Sequence, residues 1–123
     1  MSGSASFQRA IGGLKARSAV FKALGHPTRL FIVEELSRGE RCVCELTAMV
    51  GADISTVSKH LALLKAAGLV DDDKRGAQVF YRLRVPCVIN SFGCIDAVLS
   101  RSTATAGLAT PPIDEVLPTL VSR

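Results

Sequence analysis

The sequence has no tryptophan, one tyrosine and five phenylalanines among 123 residues. This shortage of aromatic side chains argues against a protein that binds RNA or single-stranded DNA, because the bases of these nucleic acids usually stack on aromatic rings. The sequence also lacks a run of about 18 apolar residues, which a membrane-spanning helix needs, and it shows no secretory signal. We therefore predict no membrane partner and a cytoplasmic location, where thiols stay reduced.

Recognisable catalytic patterns are missing as well. No Ser/His/Asp arrangement, carboxylate pair or glycine-rich phosphate loop stands out, and the chain has only two histidines, so we do not expect an enzyme. With 48% hydrophobic and 21% charged residues, the composition is typical of a single folded domain. A net charge of +4 permits binding to nucleic acid without requiring it.

The most informative segment present is residues 55–70, which combines an apolar side with a small, polar, basic side. Leu61 and Leu64 can face a core at helical spacing, and the opposite side carries hydroxyls, a lysine and a histidine. An ordinary core helix would explain the spacing but not the absence of any carboxylate from the segment. Such a surface suits phosphates and base edges of DNA. The predicted DNA contacts on this helix are Ser55, Thr56, Ser58, Lys59 and His60.

The segments around this helix predict a winged helix-turn-helix. We expect Ser55 as the N-cap and Gly68 as the residue that ends the helix. A shorter helix over residues 43–50 precedes it, and two strands over residues 70–73 and 79–83 follow it as a hairpin with a basic tip. From this hairpin, the wing, we predict DNA contacts by Lys74, Arg75 and Gln78.

Three further helices complete a fold that is mainly α with a small β-hairpin. We expect the first over residues 14–24, with an earlier helical piece before Gly12 as an alternative. The second begins at Pro27 and buries a stripe of Leu30, Ile32, Val33 and Leu36, and the last runs from Pro86 to about Arg101. The predicted divisions are a flexible N-terminus over residues 1–13, the DNA-binding domain over residues 14–101, and a flexible tail over residues 102–123.

Three features have competing interpretations. His26, directly before Pro27, is expected to cap or turn the chain at a helix start rather than to bind a ligand. His60 can be a packed histidine instead of a DNA contact. The acidic run of residues 71–73 would repel phosphate, so we expect a solvated edge that points away from DNA, with a hard-cation site as the alternative.

Cys42 and Cys44 form a CxC pair at the start of the helix over residues 43–50. Residues i and i+2 of a regular helix point to different sides, so the sulfurs converge only if Cys42 precedes the helical backbone. Helix N-terminal amides favour thiolates, and thiolates select thiophilic ions; small buried cysteines are the alternative. Cys87 and Cys94 are expected to share a face of the last helix, roughly 10 Å apart, as further ligands or as packing residues.

Three motifs together resemble the ArsR/SmtB family of bacterial metalloregulators. They are ALGHPTRL at residues 23–30, CVCEL at residues 42–46, and STVSKHLALLKAAGLV at residues 55–70. The resemblance covers residues 14–101. It implies a homodimeric winged-helix repressor that leaves its double-stranded DNA operator when a metal or metalloid binds, with a dimer seam built from the first and last helices.

The resemblance also implies a ligand. In family members that sense arsenite, antimonite, cadmium or lead, a Cys-Val-Cys run supplies ligands, and Cys42 and Cys44 fall on it. Arsenite sensors add a third cysteine where this chain has Thr47, which leaves Cys87 or Cys94 to replace it. We predict arsenite or another thiophilic ion as the effector. Thiol-redox or persulfide sensing is one alternative, and a constitutive DNA-binding module with structural cysteines is another.

Overall fold

The computed structural model describes residues 4–106, so most of the predicted C-terminal tail lies outside the described residues. The chain divides into two units, the first ending at Arg84 and the second beginning at Val85. No helix among the described residues is long and apolar enough to cross a membrane. The elements are α1 (Ala5–Leu24), α2 (Pro27–Ser37), β1 (Arg41–Cys42), α3 (Val43–Val50), α4 (Ile54–Ala66), β2 (Val70–Arg75), β3 (Gln78–Leu83) and α5 (Val88–Ala106).

This order confirms the predicted winged helix-turn-helix, mainly α with a small hairpin, but α1 begins earlier than expected. It starts at Ala5 rather than Leu14, so much of the N-terminus that we expected to be flexible is helical. The cause is local: the Ser4 hydroxyl accepts a hydrogen bond from the Phe7 amide at 3.2 Å, which caps the helix. A glycine in a helix costs about 1 kcal/mol, and the helix continues through Gly12 nevertheless.

The core of the first unit lies between α2, α3, α4 and the sheet. Leu61 and Leu64 are fully buried, as predicted, and so is Val57. Leu30 was expected in the buried stripe of α2 but is 37% exposed. It lies two residues before Ile32, which is roughly 200° around a helix and therefore points to the other side. The buried apolar residues are Leu24, Ile32, Val33, Leu36, Cys42, Leu46, Val57, Leu61, Leu64, Leu69 and Val70.

The sheet has three antiparallel strands in the order β1-β3-β2. The two predicted strands extend to Arg75 and Gln78, and the turn between them places Gly76 at a φ of 63°, a conformation that favours glycine. The third strand, β1, was not predicted, because two residues carry no periodicity. It pairs Cys42 with Phe80.

The second unit contains α5, which begins at Val88 rather than Pro86 and continues past Arg101 to Ala106. Cys87 therefore lies in the turn before the helix, where its carbonyl accepts from the Asn90 amide at 3.0 Å. The expectation that Cys87 and Cys94 share a helix face was wrong, since only Cys94 is in the helix. Both are exposed free cysteines.

Candidate DNA-contacting surface and cysteine pair

The first turn of α4 is capped by Asp53, not by Ser55 as predicted. The Asp53 carboxylate accepts hydrogen bonds from the Thr56 amide at 2.8 Å and from the Ser55 hydroxyl at 3.3 Å. These bonds, led by those from Thr56, lower the pKa of Asp53. Aspartate and serine are both favourable N-cap residues, so residue type alone does not choose between them. The helix begins at Ile54, two residues earlier than it would if Ser55 were the N-cap.

The start of α4 presents a polar surface to solvent. Ser55, Thr56, Ser58 and Lys59 are all exposed, while the apolar side of the same helix is buried. Within residues 4–106, Lys59 forms no ion pair, so its charge is available to a phosphate. The structure therefore brings four of the five predicted α4 contacts together on one accessible surface.

His60, the fifth predicted contact, is half-buried beside His26 and Arg29. The two histidine rings lie 4.6 Å apart, and the Arg29 guanidinium donates to Nδ1 of His60 at 3.2 Å. Burial, followed by the charges of His26 and Arg29, lowers the pKa of His60. Since an arginine can only donate, Nδ1 is the acceptor and His60 is a neutral imidazole with its proton on Nε2.

His26 does what the sequence predicted. Its Nδ1 accepts a hydrogen bond from the Thr28 amide at 3.1 Å, at the N-cap of α2. Burial, and then the neighbouring Arg29, lower its pKa, which favours the neutral ring that can accept this bond. Arg29 completes the cluster by donating to the Ala23 carbonyl, and thereby ties the end of α1 to α4.

The wing exposes its three predicted contacts, Lys74, Arg75 and Gln78, around the Gly76 turn. Arg75, however, is already bound within the chain. Its two terminal nitrogens donate to the two Glu40 oxygens at 2.9 and 2.7 Å, and its Nε donates to Asp73 at 2.8 Å. These hydrogen bonds, first those with Glu40, raise the pKa of Arg75. Lys74 has no ion-pair partner in the part of the chain that the structure describes.

The three acidic residues at the base of the wing are each paired with a base. The pairs are Asp71 with Arg82 at 3.8 Å, Asp72 with Lys65 at 2.9 Å, and Asp73 with Arg75 at 2.8 Å. This pairing reduces the repulsion from phosphate that the sequence suggested. Lys65 of α4 is thus bound to the sheet, and its hydrogen bond with Asp72 raises its pKa.

Cys42 and Cys44 converge, as required for a shared ligand. Cys42 is the N-cap of α3, with φ −81° and ψ 158°, so its backbone is extended rather than helical. The Cα atoms of the pair are 5.4 Å apart and the sulfurs are joined in a disulfide. Cys42 is buried, with 4% exposure, while Cys44 faces solvent.

The donor set of this pair fits a thiophilic ion held by two sulfurs. When reduced, the two thiolates lie at a helix N-terminus, where backbone amides favour negative charge. No group of three or more histidine, cysteine, aspartate or glutamate side chains suited to a metal occurs within residues 4–106. The described part of the chain therefore offers two sulfurs at this position and no third histidine, cysteine or carboxylate beside them.

Comparison with known proteins identifies relatives of the part of the chain that contains α2, α3 and α4. Residues 26–72 match the model of the family described as bacterial regulatory protein, arsR family. The chain is 41% identical over 70 residues to the HTH-type transcriptional repressor SmtB of Mycobacterium tuberculosis, covering 57% of this chain and 52% of that protein. It is 48% identical over 65 residues to the arsenical resistance operon repressor of Escherichia coli, covering 52% of this chain and 56% of that protein.

The chain spans about half the length of these curated relatives. The chain covers a larger share of one solved structure than of these curated relatives. It is the solution structure of a homodimeric winged helix-turn-helix DNA-binding domain from Mycobacterium bovis, described as a possible ArsR-family transcriptional regulator. The identity is 32% and the TM-score 0.66, with 80% of this chain and 89% of that chain covered.

Proposed function

Because the chain belongs to the ArsR family of bacterial regulatory proteins, we propose that it is a transcriptional repressor, released from its operator by a thiophilic metal or metalloid ion. The observation that carries the proposal is the convergence of the Cys42 and Cys44 sulfurs at the N-cap of α3. The helix that reads DNA follows α3 directly. A ligand on the two sulfurs thus acts immediately upstream of the DNA-contacting surface.

The DNA half of the proposal rests on the exposed start of α4 and on the wing. In winged helix-turn-helix proteins the second helix of the motif enters the major groove, and a homodimer reads two half-sites about 34–36 Å apart. We assign Ser55, Thr56, Ser58 and Lys59 to that groove. Lys74 and Gln78 contact the backbone alongside it, and His60 contributes a neutral hydrogen-bonding edge.

The ligand half rests on sulfur chemistry. Thiolates prefer soft ions to magnesium or calcium, and we place arsenite first because the cysteine pair matches the family's sulfur motif. Cys42 and Cys44 bind the ion, and Cys87 or Cys94 of either protomer is the candidate third ligand. A coupling free energy of about 1–3 kcal/mol lowers operator affinity fivefold to 150-fold, and DNA weakens ion binding by the same factor.

The test is a titration of the reduced protein on a duplex obtained by selection from random double-stranded DNA. Arsenite, cadmium, zinc and polysulfide are each added to the complex, for the wild type and for four single Cys→Ser variants. We expect Cys42→Ser and Cys44→Ser to keep operator affinity and to lose the arsenite response. Serine is a good N-cap, so Cys42→Ser should preserve α3. A response that survives both substitutions would falsify the sensing proposal.

The alternative is release by thiol oxidation, which would use the same two sulfurs, joined in the structure. A hydroperoxide would take two electrons and two protons from the Cys42 and Cys44 thiols, forming their S–S bond and leaving water and an alcohol. In that case peroxide without metal releases DNA and dithiothreitol restores binding. Release by arsenite under reducing conditions, with no response to peroxide, rejects this candidate.

A further inference from the structure

Arg75 occupies an unusual position at the tip of the wing. Both terminal nitrogens of its guanidinium bond to the Glu40 carboxylate, its Nε bonds to Asp73, and the guanidinium carbon lies 4.6 Å from the centre of the Phe80 ring. A two-pronged arginine–carboxylate pair fixes orientation as well as distance. One side chain therefore connects the wing tip to the segment before β1.

Two of the residues that Arg75 contacts are neighbours of Cys42, one in the chain and one in the sheet. Glu40 lies two residues before Cys42 in the chain, and Phe80 is the residue that faces Cys42 across the sheet. Phe80 also faces Asp73 on its other side, so Cys42, Phe80 and Asp73 form one row across three strands. Directly paired residues of an antiparallel sheet place their side chains on the same face. Arg75 thus contacts two members of the row and the near neighbour of the third.

We propose that Arg75 is a positioning residue that transmits the state of the cysteine pair to the wing. The inference rests on the proposed function and adds a second route to it, beside the one through α3 and α4. The structure has the sulfurs joined, so its Glu40–Arg75 contact is that of the closed pair. Between the open and the closed pair, β1 moves relative to α3 and takes Glu40 with it. Arg75 follows Glu40, so the wing tip with Lys74 and Gln78 holds different positions in the two states.

The surface location of the Glu40–Arg75 ion pair indicates that it links the segment before β1 to the wing rather than stabilises the fold. Glu40 and Arg75 are partly exposed, with 33% and 46% of their side-chain surfaces accessible, and exposed ion pairs contribute little to folding. The Lys65–Asp72 pair joins α4 to the same hairpin with similar exposure, and among the described residues it forms no ion pair with Glu40 or Arg75. It provides a matched control.

The first measurement uses the DNA-free chain with Cys87→Ser and Cys94→Ser, so that only the CxC pair reacts. The backbone amide of Gly76 and the Nε–H of Arg75 are followed by NMR. Spectra are compared for the reduced protein, after sodium arsenite, and after diamide, which takes two electrons and two protons from the thiols to close the disulfide. Mass spectrometry and thiol counting report the state of the sulfurs.

We expect closure of the pair to move both signals in the chain with native Glu40 and Arg75. Glu40→Gln and Arg75→Gln should lose the Gly76 response, whereas Asp72→Asn should keep it. Arg75→Lys retains the charge but not the two-pronged geometry, so it should lose most of the response as well.

The second measurement is the ratio of operator Kd values with and without arsenite. Glu40→Gln should lower this ratio by about fivefold or more while changing the ligand-free Kd by less than about threefold. Signals at Gly76 that stay unmoved on closure, or a Glu40→Gln chain that behaves like Asp72→Asn, would overturn the proposal. A native chain that never releases DNA rejects the proposed function instead, and the DNA-free spectra still decide the role of Arg75.

Discussion

Cys42 and Glu45 cap the start of α3 reciprocally: the Cys42 sulfur accepts from the Glu45 amide at 3.4 Å, and the Glu45 carboxylate accepts from the Cys42 amide at 2.9 Å. This is a capping box in which cysteine takes the place of serine or threonine. The sulfur proposed to bind an ion is therefore also the acceptor that holds the first turn of the helix. A ligand on that sulfur competes with the cap, which is a direct physical route from binding to distortion of α3.

Removing one half of the box should destabilise the fold measurably. In Glu45→Ala the Cys42 amide loses its acceptor, and lost caps cost about 0.5–2 kcal/mol. We expect the urea midpoint to fall with the slope unchanged, measured on the reduced protein. Glu45→Gln keeps a side-chain acceptor at the same position and should stay close to the native midpoint. Equal losses in both variants would show that the carboxylate charge, not the cap, is the stabilising element.

The sequence predicted the interior of α4 better than its start. Leu61 and Leu64 follow from apolar spacing and are buried, because burial of one face is repeated along the helix. The cap is a single choice between neighbouring residues that both accept hydrogen bonds, and spacing does not decide between Asp53 and Ser55. Val57 was missed because it lies among the hydroxyls that had been assigned to DNA.

The burial pattern of α4 makes a paired prediction. Leu61 has no exposed surface, while Leu63, two residues later in the same helix, is 52% exposed. Leu61→Ala should lower the free energy of unfolding by about 2–5 kcal/mol, since it removes buried atoms and leaves a cavity. Leu63→Ala changes the same residue type in the same helix and should cost far less. Chemical denaturation of both variants measures the difference, and comparable losses would contradict the packing described above.

The His26–His60 contact predicts a pH-dependent stability. Both pKa values lie below the ordinary value of 6.5, first because of burial and then because of neighbouring charge. As the pH falls, the histidines of the unfolded chain therefore bind protons at a higher pH than those of the folded chain. Their contribution to the free energy of unfolding is fully present above pH 6.5 and decreases as the pH falls below it. Protonation also sets two cationic rings beside Arg29.

The check is a series of urea unfolding curves between about pH 5 and 7.5, for the native chain and for His60→Gln, across the window where folded and unfolded histidines differ. The substitution removes one titrating group, so the slope of stability against pH should flatten in the variant. Carboxylates contribute at lower pH, and their share is common to both chains. An identical slope in the two chains would mean that the histidine pair is not responsible.

The strands of the wing could be predicted from the sequence, but the ion-pair partners of its residues could not. Its basic tip and its strands were visible from composition and alternation, but the partner of Arg75 is Glu40, which lies 35 residues away. No local pattern connects the two, because β1 is only two residues long and its pairing with β3 is decided by the folded sheet. The same holds for Asp72 and Lys65, which only tertiary structure brings together.

The three lysines of α4 and the wing differ in whether they have an ion-pair partner within the chain, and this difference provides a test of the proposed DNA interface. Lys59 and Lys74 form no ion pair among the described residues, whereas Lys65 is held by Asp72. If Lys59 and Lys74 neutralise phosphates, Lys59→Ala and Lys74→Ala should each reduce the magnitude of the slope of log K against log salt concentration by about 0.9. Each should also weaken the binding to all duplexes by a similar factor. Lys65→Ala removes the same charge and should leave the slope nearly unchanged. Equal slopes in all three variants would place the phosphate contacts elsewhere, since net charge alone would then explain the salt dependence.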